Sequence, residues 1–100
     1  MIKHIVMWTL KAEAEGATAA ENGKKMKEIL EALPGKIDGL LDLHVSLDIF
    51  ESAPQCDVIL YSTLTTKEAL QGYAVHPEHL KCVEFVKKVV AERRVLDYVI

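Results

Sequence analysis

A chain of 100 residues with 50% hydrophobic content makes one globular domain, residues 1–100, with a single core and no room for a separate regulatory module. The Lys and Arg residues number 12 against 15 Asp and Glu, for a net charge of -3, and they are dispersed among the acids, which excludes the electrostatic footprint of a nucleic-acid or anionic-membrane binder. Cys56 and Cys82 have neither CxxC spacing nor a disulfide framework and read as reduced, unpaired thiols.

The opening MIKHIVMWTLK has no long uncharged apolar run and no small-residue cleavage site, so the expectation is a cytoplasmic protein. Ile2 to Leu10 is apolar on both faces, with Ile2, Val6, Trp8 and Leu10 on one and Ile5 and Met7 on the other, which predicts an inner strand. After an Ala/Glu/Gly loop, Thr18 and Glu21 have capping-box spacing. Met26, Ile29, Leu30 and Leu33 then form a helical stripe that Pro34 and Gly35 end.

From Leu41 the pattern alternates, with Leu41, Leu43, Val45 and Leu47 opposite Asp42, His44, Ser46 and Asp48, as in a strand with one polar face. A loop through Glu51 to Pro54 leads to a strand predicted from about Asp57 to Leu64. Thr65 and Glu68 have the spacing of a second capping box before a short helix. Pro77 suits the first position of another helix, running to about Glu92 with His76 as its N-cap, and Val95 to Ile100 closes the chain as a strand.

The order is βαββαβ, a split arrangement in which four strands form a largely antiparallel sheet with the helices on one face. The apolar set assigned to the uncovered face is Ile5, Met7, Val58, Leu60, Leu96 and Ile100. A contiguous patch of that size is rarely left exposed by a monomer, so the pattern predicts a homodimer joined through the open sheet face.

The stretch YAVHPEH, Tyr73 to His79, places a tyrosine and two histidines around the proline that starts the helix. In the first helical turn His79 meets the positive end of the helix dipole, which favours a neutral ring able to accept a proton. His76 also reads as a plain helix cap, and Tyr73 as a core residue with a satisfied hydroxyl. His76, Glu78 and His79 lack HExxH or comparable ligand spacing, so no metal site is expected. No Gly-rich phosphate loop follows a strand, and Ser46, Ser52 and Ser62 lack nucleophile-elbow glycines.

An opening KHIVMW strand, a helix ending at LPG, the YAVHPEH segment and a closing RRVLDYV strand, in this order, resemble the stress-responsive A/B barrel family over nearly the whole chain. The resemblance implies a ferredoxin-like α+β protomer with a four-stranded antiparallel sheet, pairing into a dimeric α+β barrel with a small cavity between sheet and helices. The family includes plant polyketide cyclases, whose catalytic tyrosine and histidine match Tyr73 and His79. In that reading Tyr73 hydrogen-bonds a substrate carbonyl while neutral His79 removes a proton beside it, without a cofactor.

Candidate substrate-binding residues are His4, Val6, Trp8, Met26, Ile59 and His76. Of these, His4 and Trp8 also read as core, and His44 reads as solvated or at the dimer seam. The lining departs from the cyclases: Asn22, Gly23 and Met26 stand where they have aromatic residues, and Asp57 replaces a histidine. Two functions follow. One is a small cyclase- or lyase-like enzyme acting on a carbonyl-containing or aromatic metabolite through Tyr73 and His79. The other is a non-catalytic, stress-responsive or apolar-ligand-binding dimeric module, and an open, polar-tipped cavity rather than a filled one favours the enzyme.

Overall fold

The computed structural model describes residues 1–100. Strand β1 (Ile2–Leu10) leads into a small hairpin, β2 (Glu13–Ala14) and β3 (Ala17–Thr18), whose turn residues Glu15 and Gly16 both have positive φ, as a two-residue hairpin requires. Helix α1 (Ala19–Glu31) follows, with the expected capping box: the Thr18 hydroxyl accepts from the Glu21 N–H, and the Glu21 carboxylate accepts from the Thr18 N–H. Strands β4 (Leu40–Ser46) and β5 (Val58–Leu64) come next, then helices α2 (Lys67–Val75) and α3 (Pro77–Val89), and strand β6 (Val90–Val99). The main sheet is four-stranded and antiparallel in the order β4-β5-β1-β6, a ferredoxin-like α+β arrangement with the helices on one face.

Register decides which side chains the helices cover. Val6 pairs with Leu60 and Trp8 with Val58, so Val58 and Leu60, each 1% exposed, belong to the core and not to the open face where the sequence pattern put them. Residues 58–61, Val-Ile-Leu-Tyr, are apolar at both parities, so local periodicity had no way to choose between the faces. The open face carries instead Ile5, Met7, Ile59, Tyr61, Leu96 and Tyr98, flanked by Lys3, Asp42, His44 and Arg94. A register shift between Leu40 and Asp42 puts Leu40 in the core and leaves Leu41 outside, while Leu43 and Val45 point inward as expected.

The second helix cap also moves by one residue. Thr66, not Thr65, accepts from the Ala69 N–H, because the Thr65 N–H is taken by the Gly39 carbonyl at 2.9 Å. Gly39 has φ +83°, and a Cβ there would stand 2.6 Å from the Ala69 Cβ, so this close approach of loop to helix requires glycine. Pro77 and the His76 cap open α3 as expected, but the helix ends at Val89 and β6 starts at Val90 rather than Val95. Pairing of Thr9 with Glu92, Trp8 with Arg93 and Met7 with Arg94 outweighs the local helical character of this charged segment.

Helix α1 is fastened to the edge strand β4. Glu31 accepts from the Val45 N–H at 2.9 Å, and Lys27 donates both to Glu31 and to the Val45 carbonyl, so backbone groups of an edge strand find partners in the helix above it. Met26, Leu30 and Leu33 join Val45, Leu60 and Leu64 in the core. Gly23 brings the helix close to the sheet, since a Cβ there would lie 3.4 Å from Leu47 and 3.7 Å from Val58. No helix is long and apolar enough to cross a membrane.

Candidate active site

Because α1 lies tightly on β4 and β5 while α2 and α3 stop short of β6, the covered face of the sheet is incompletely filled. A cavity of about 320 Å³ remains. Its floor is His4, Val6 and Trp8 of β1 with Leu60 of β5. Tyr73 and Leu70 come from α2, His79 and Val83 from the first turns of α3, and Lys87 and Arg93, both exposed, stand at the mouth beside β6.

Helix α2 buries Tyr73 to 2% exposure, and its ring lies 4.2 Å from the His79 ring, tilted by 34°. The His4 ring meets it edge-on at 5.9 Å. The three rings therefore form one cluster in the cavity wall. No intrachain hydrogen bond engages the Tyr73 hydroxyl, and burial pushes its pKa well up, so the phenol keeps its proton and remains a donor.

His79 donates from Nδ1 to the Ala74 carbonyl at 3.2 Å, which leaves Nε2 as the basic nitrogen. Burial holds its pKa below the ordinary histidine value. The Ala74 carbonyl acts in the opposite direction, and the charges of His4, Arg93 and His76 push it down further. A half-buried imidazole kept neutral beside a protonated phenol can take a proton from carbon while the phenol hydrogen-bonds the developing oxyanion.

His4 adds a second imidazole, its side chain 9% exposed. Its Nδ1 donates to the Asp97 carboxylate at 2.5 Å across the β1–β6 pair, which fixes the orientation of the ring. Trp8 closes the other end of the floor, and its buried Nε1 has no acceptor in the chain. No group of three or more His, Cys, Asp or Glu side chains is gathered closely enough to hold a metal ion.

Of the residues singled out in the sequence, the structure brings Tyr73, His79, His4, Val6 and Trp8 together around this cavity. Met26, Ile59 and His76 do not line it. Met26 is fully buried under α1, Ile59 points to the opposite face of the sheet by the same register that turns Leu60 inward, and His76 Nδ1 accepts the Glu78 N–H at 3.1 Å as the cap of α3. Asp57 is also structural, accepting the Leu10 N–H at 2.8 Å away from the cavity. Sequence reasoning missed Asp97, Lys87 and Arg93. The periodicity started β6 at Val95, so no face was assigned to Arg93; a start at Val90 would have put Arg93, Val95 and Asp97 on one face.

The family model for the stress responsive A/B barrel domain matches residues 2–100. A dimeric protein of unknown function with a ferredoxin-like fold from Bacteroides fragilis is 28% identical, covering 97% of this chain and 93% of its own, with a TM-score of 0.80. A dimeric ferredoxin-like protein of unknown function from Jannaschia is 26% identical over 99% of this chain and 98% of its own, with a TM-score of 0.76. The hydroxynitrile lyase of Passiflora edulis shares the fold at a TM-score of 0.82 but only 14% of the sequence, over 99% of this chain and 92% of its own. No curated protein matches the sequence.

Proposed function

The chain belongs to the stress responsive A/B barrel domain family, and from that premise we propose that it is a dimeric barrel enzyme performing cofactor-free, cyclase- or lyase-like chemistry on a carbonyl-containing or aromatic metabolite. The observation that carries the reading is the open cavity in which an unpartnered Tyr73 hydroxyl and the free Nε2 of His79 share one wall. His79 Nε2 takes the proton from the carbon next to the substrate carbonyl. The C–H electron pair passes into the carbonyl, and the oxyanion that results accepts a hydrogen bond from Tyr73.

In this reading the protein is a dimer, as its dimeric structural neighbours support, and a second copy covers the open face of the sheet because that face carries the unpacked apolar side chains. Ile5, Met7, Ile59 and Tyr61 are half-buried in the single chain, and Leu96 and Tyr98 are exposed. Completing the burial of such side chains is favourable, at up to about 1.5–3 kcal/mol for one taken wholly from water. Both cysteines are free, which suits the reducing cytoplasm where the reading places the protein.

The test is a binding and exchange assay with acetophenone as a model carbonyl compound. Wild type should bind it and speed deuterium incorporation at its methyl carbon, and Tyr73→Phe and His79→Ala should each reduce that exchange about 100-fold or more while the fold is kept. Exchange unchanged in both variants would remove the catalytic reading. Binding that persists without any exchange would assign the cavity to the non-catalytic, apolar-ligand-binding module.

A further inference from the structure

The charged side chains lining the cavity are of one sign. Lys87 and Arg93 are the cations, and the carboxylate closest to the ring cluster, Asp97, is already engaged by His4. Lys87 is also occupied, pairing with Glu84 at 3.1 Å along α3. Arg93 has no hydrogen bond and no carboxylate partner in the chain, although its neighbour Arg94 pairs with Glu92. An unpaired guanidinium at the edge of a mostly apolar cavity offers the planar, bidentate donor geometry that a carboxylate fits.

The β1–β6 register places this cation relative to the rings. His4 pairs with Asp97 at one end of the cavity floor and Trp8 with Arg93 at the other, four residues apart along β1, or about 13 Å at strand rise. The Arg93 charge still reaches the ring cluster, where it favours the neutral form of His79 and opposes the burial effect on Tyr73. Between the two ends lie Val6, Leu60, Val83 and Val86. A ligand that satisfies all of this has an apolar, aromatic or acyl body with an anionic group at the mouth.

We propose that the cavity selects organic carboxylates with an apolar body, and that Arg93 is the residue that binds the carboxylate. The proposal rests on the reading of the same cavity as a ligand site but needs no catalysis by Tyr73 and His79. The carboxylate docks on Arg93 at the mouth, the apolar body lies along Val6 and Leu60, and the far end of the ligand meets Tyr73 and His79.

The probe pair is 4-butylbenzoate and its neutral isostere 4-butylbenzamide, titrated into wild type, Arg93→Gln and Lys87→Gln by NMR or calorimetry. Wild type should prefer the benzoate by about tenfold or more, as a charge-assisted bidentate contact implies. Arg93→Gln should abolish that preference while benzamide affinity stays within about twofold, and Lys87→Gln should keep most of it. Equal binding of the two probes by wild type, a preference that survives Arg93→Gln, or binding of neither probe would overturn the proposal. Light scattering on Arg93→Gln should match wild type, so that the loss belongs to the contact and not to a changed assembly. Because acetophenone carries no anion, its exchange assay fails or succeeds independently of this result.

Discussion

The two faces of the main sheet are built from the same strands yet handle their apolar residues differently. On the covered face Val6, Val45, Leu60 and Leu64 are at most 2% exposed, packed by Met26 and Leu30 of α1 and by Tyr73 of α2. On the other face the apolar side chains are only half-buried or exposed, and the polar residues at their edges pair within the face, as Lys3 does with Thr63 at 2.6 Å. The covered face closes through a helix layer within the chain but leaves a gap at β6, and the gap is the candidate site. The open face has no helix layer of its own chain over it, and only the loop of residues 52–56 stands against its Met7 end. One face is thus suited to a small ligand and the other to a second protein surface.

Reversing the two faces gives the largest expected effect. Leu60→Asp puts a carboxylate at a position only 1% exposed, and the protein should fail to fold, seen as loss of cooperative thermal unfolding; Leu60→Ala, the milder version, should cost about 2–5 kcal/mol. Ile59→Asp, one residue away and on the other face, should keep the native circular dichroism and a cooperative transition. Its effect should appear in light scattering as a shift from dimer to monomer, and Met7→Asp should do the same. An Ile59→Asp protein that unfolds like Leu60→Asp, or that remains a dimer, would break the distinction between the faces.

A smaller effect sharpens the covered face alone. Burial gives His79 a lower affinity for its proton in the folded chain than in the unfolded one, so the unfolded state binds more protons as pH falls below about 6.5. The folded state should therefore lose stability as pH falls from there through the folded pKa, and the difference should vanish above both values. An NMR titration should place the His79 midpoint below about 6.5. Wild type should also lose more melting temperature than His79→Gln between about pH 7 and about pH 5, and equal losses would show that the ring is not held neutral by its surroundings.

Much of this molecule could be read locally. The inner position of β1 follows from apolar residues at both parities, the capping box of α1 from Thr18 and Glu21, and the start of α3 from His76 and Pro77, because each depends on residues only a few positions apart. The pairing of Tyr73 with His79 was legible for a related reason: a short break between two helices holds the rings together with little help from the rest of the fold.

What lay beyond the sequence was register. Whether Leu60 or Ile59 faces the helices depends on which residue of β1 it pairs with, and a shift of one residue reverses every side chain in a strand whose two faces are equally apolar. The same long-range pairing drew Glu92, Arg93 and Arg94 into β6, set Asp97 opposite His4 and brought Arg93 to the mouth of the cavity. Local pattern determined the elements, the capped helix starts and the Tyr73–His79 pair. Pairing of β1 with strands far along the chain, β5 and β6, decided which face each side chain took and which charges met the rings, because antiparallel strands are aligned by the whole sheet and its core rather than by their own sequence.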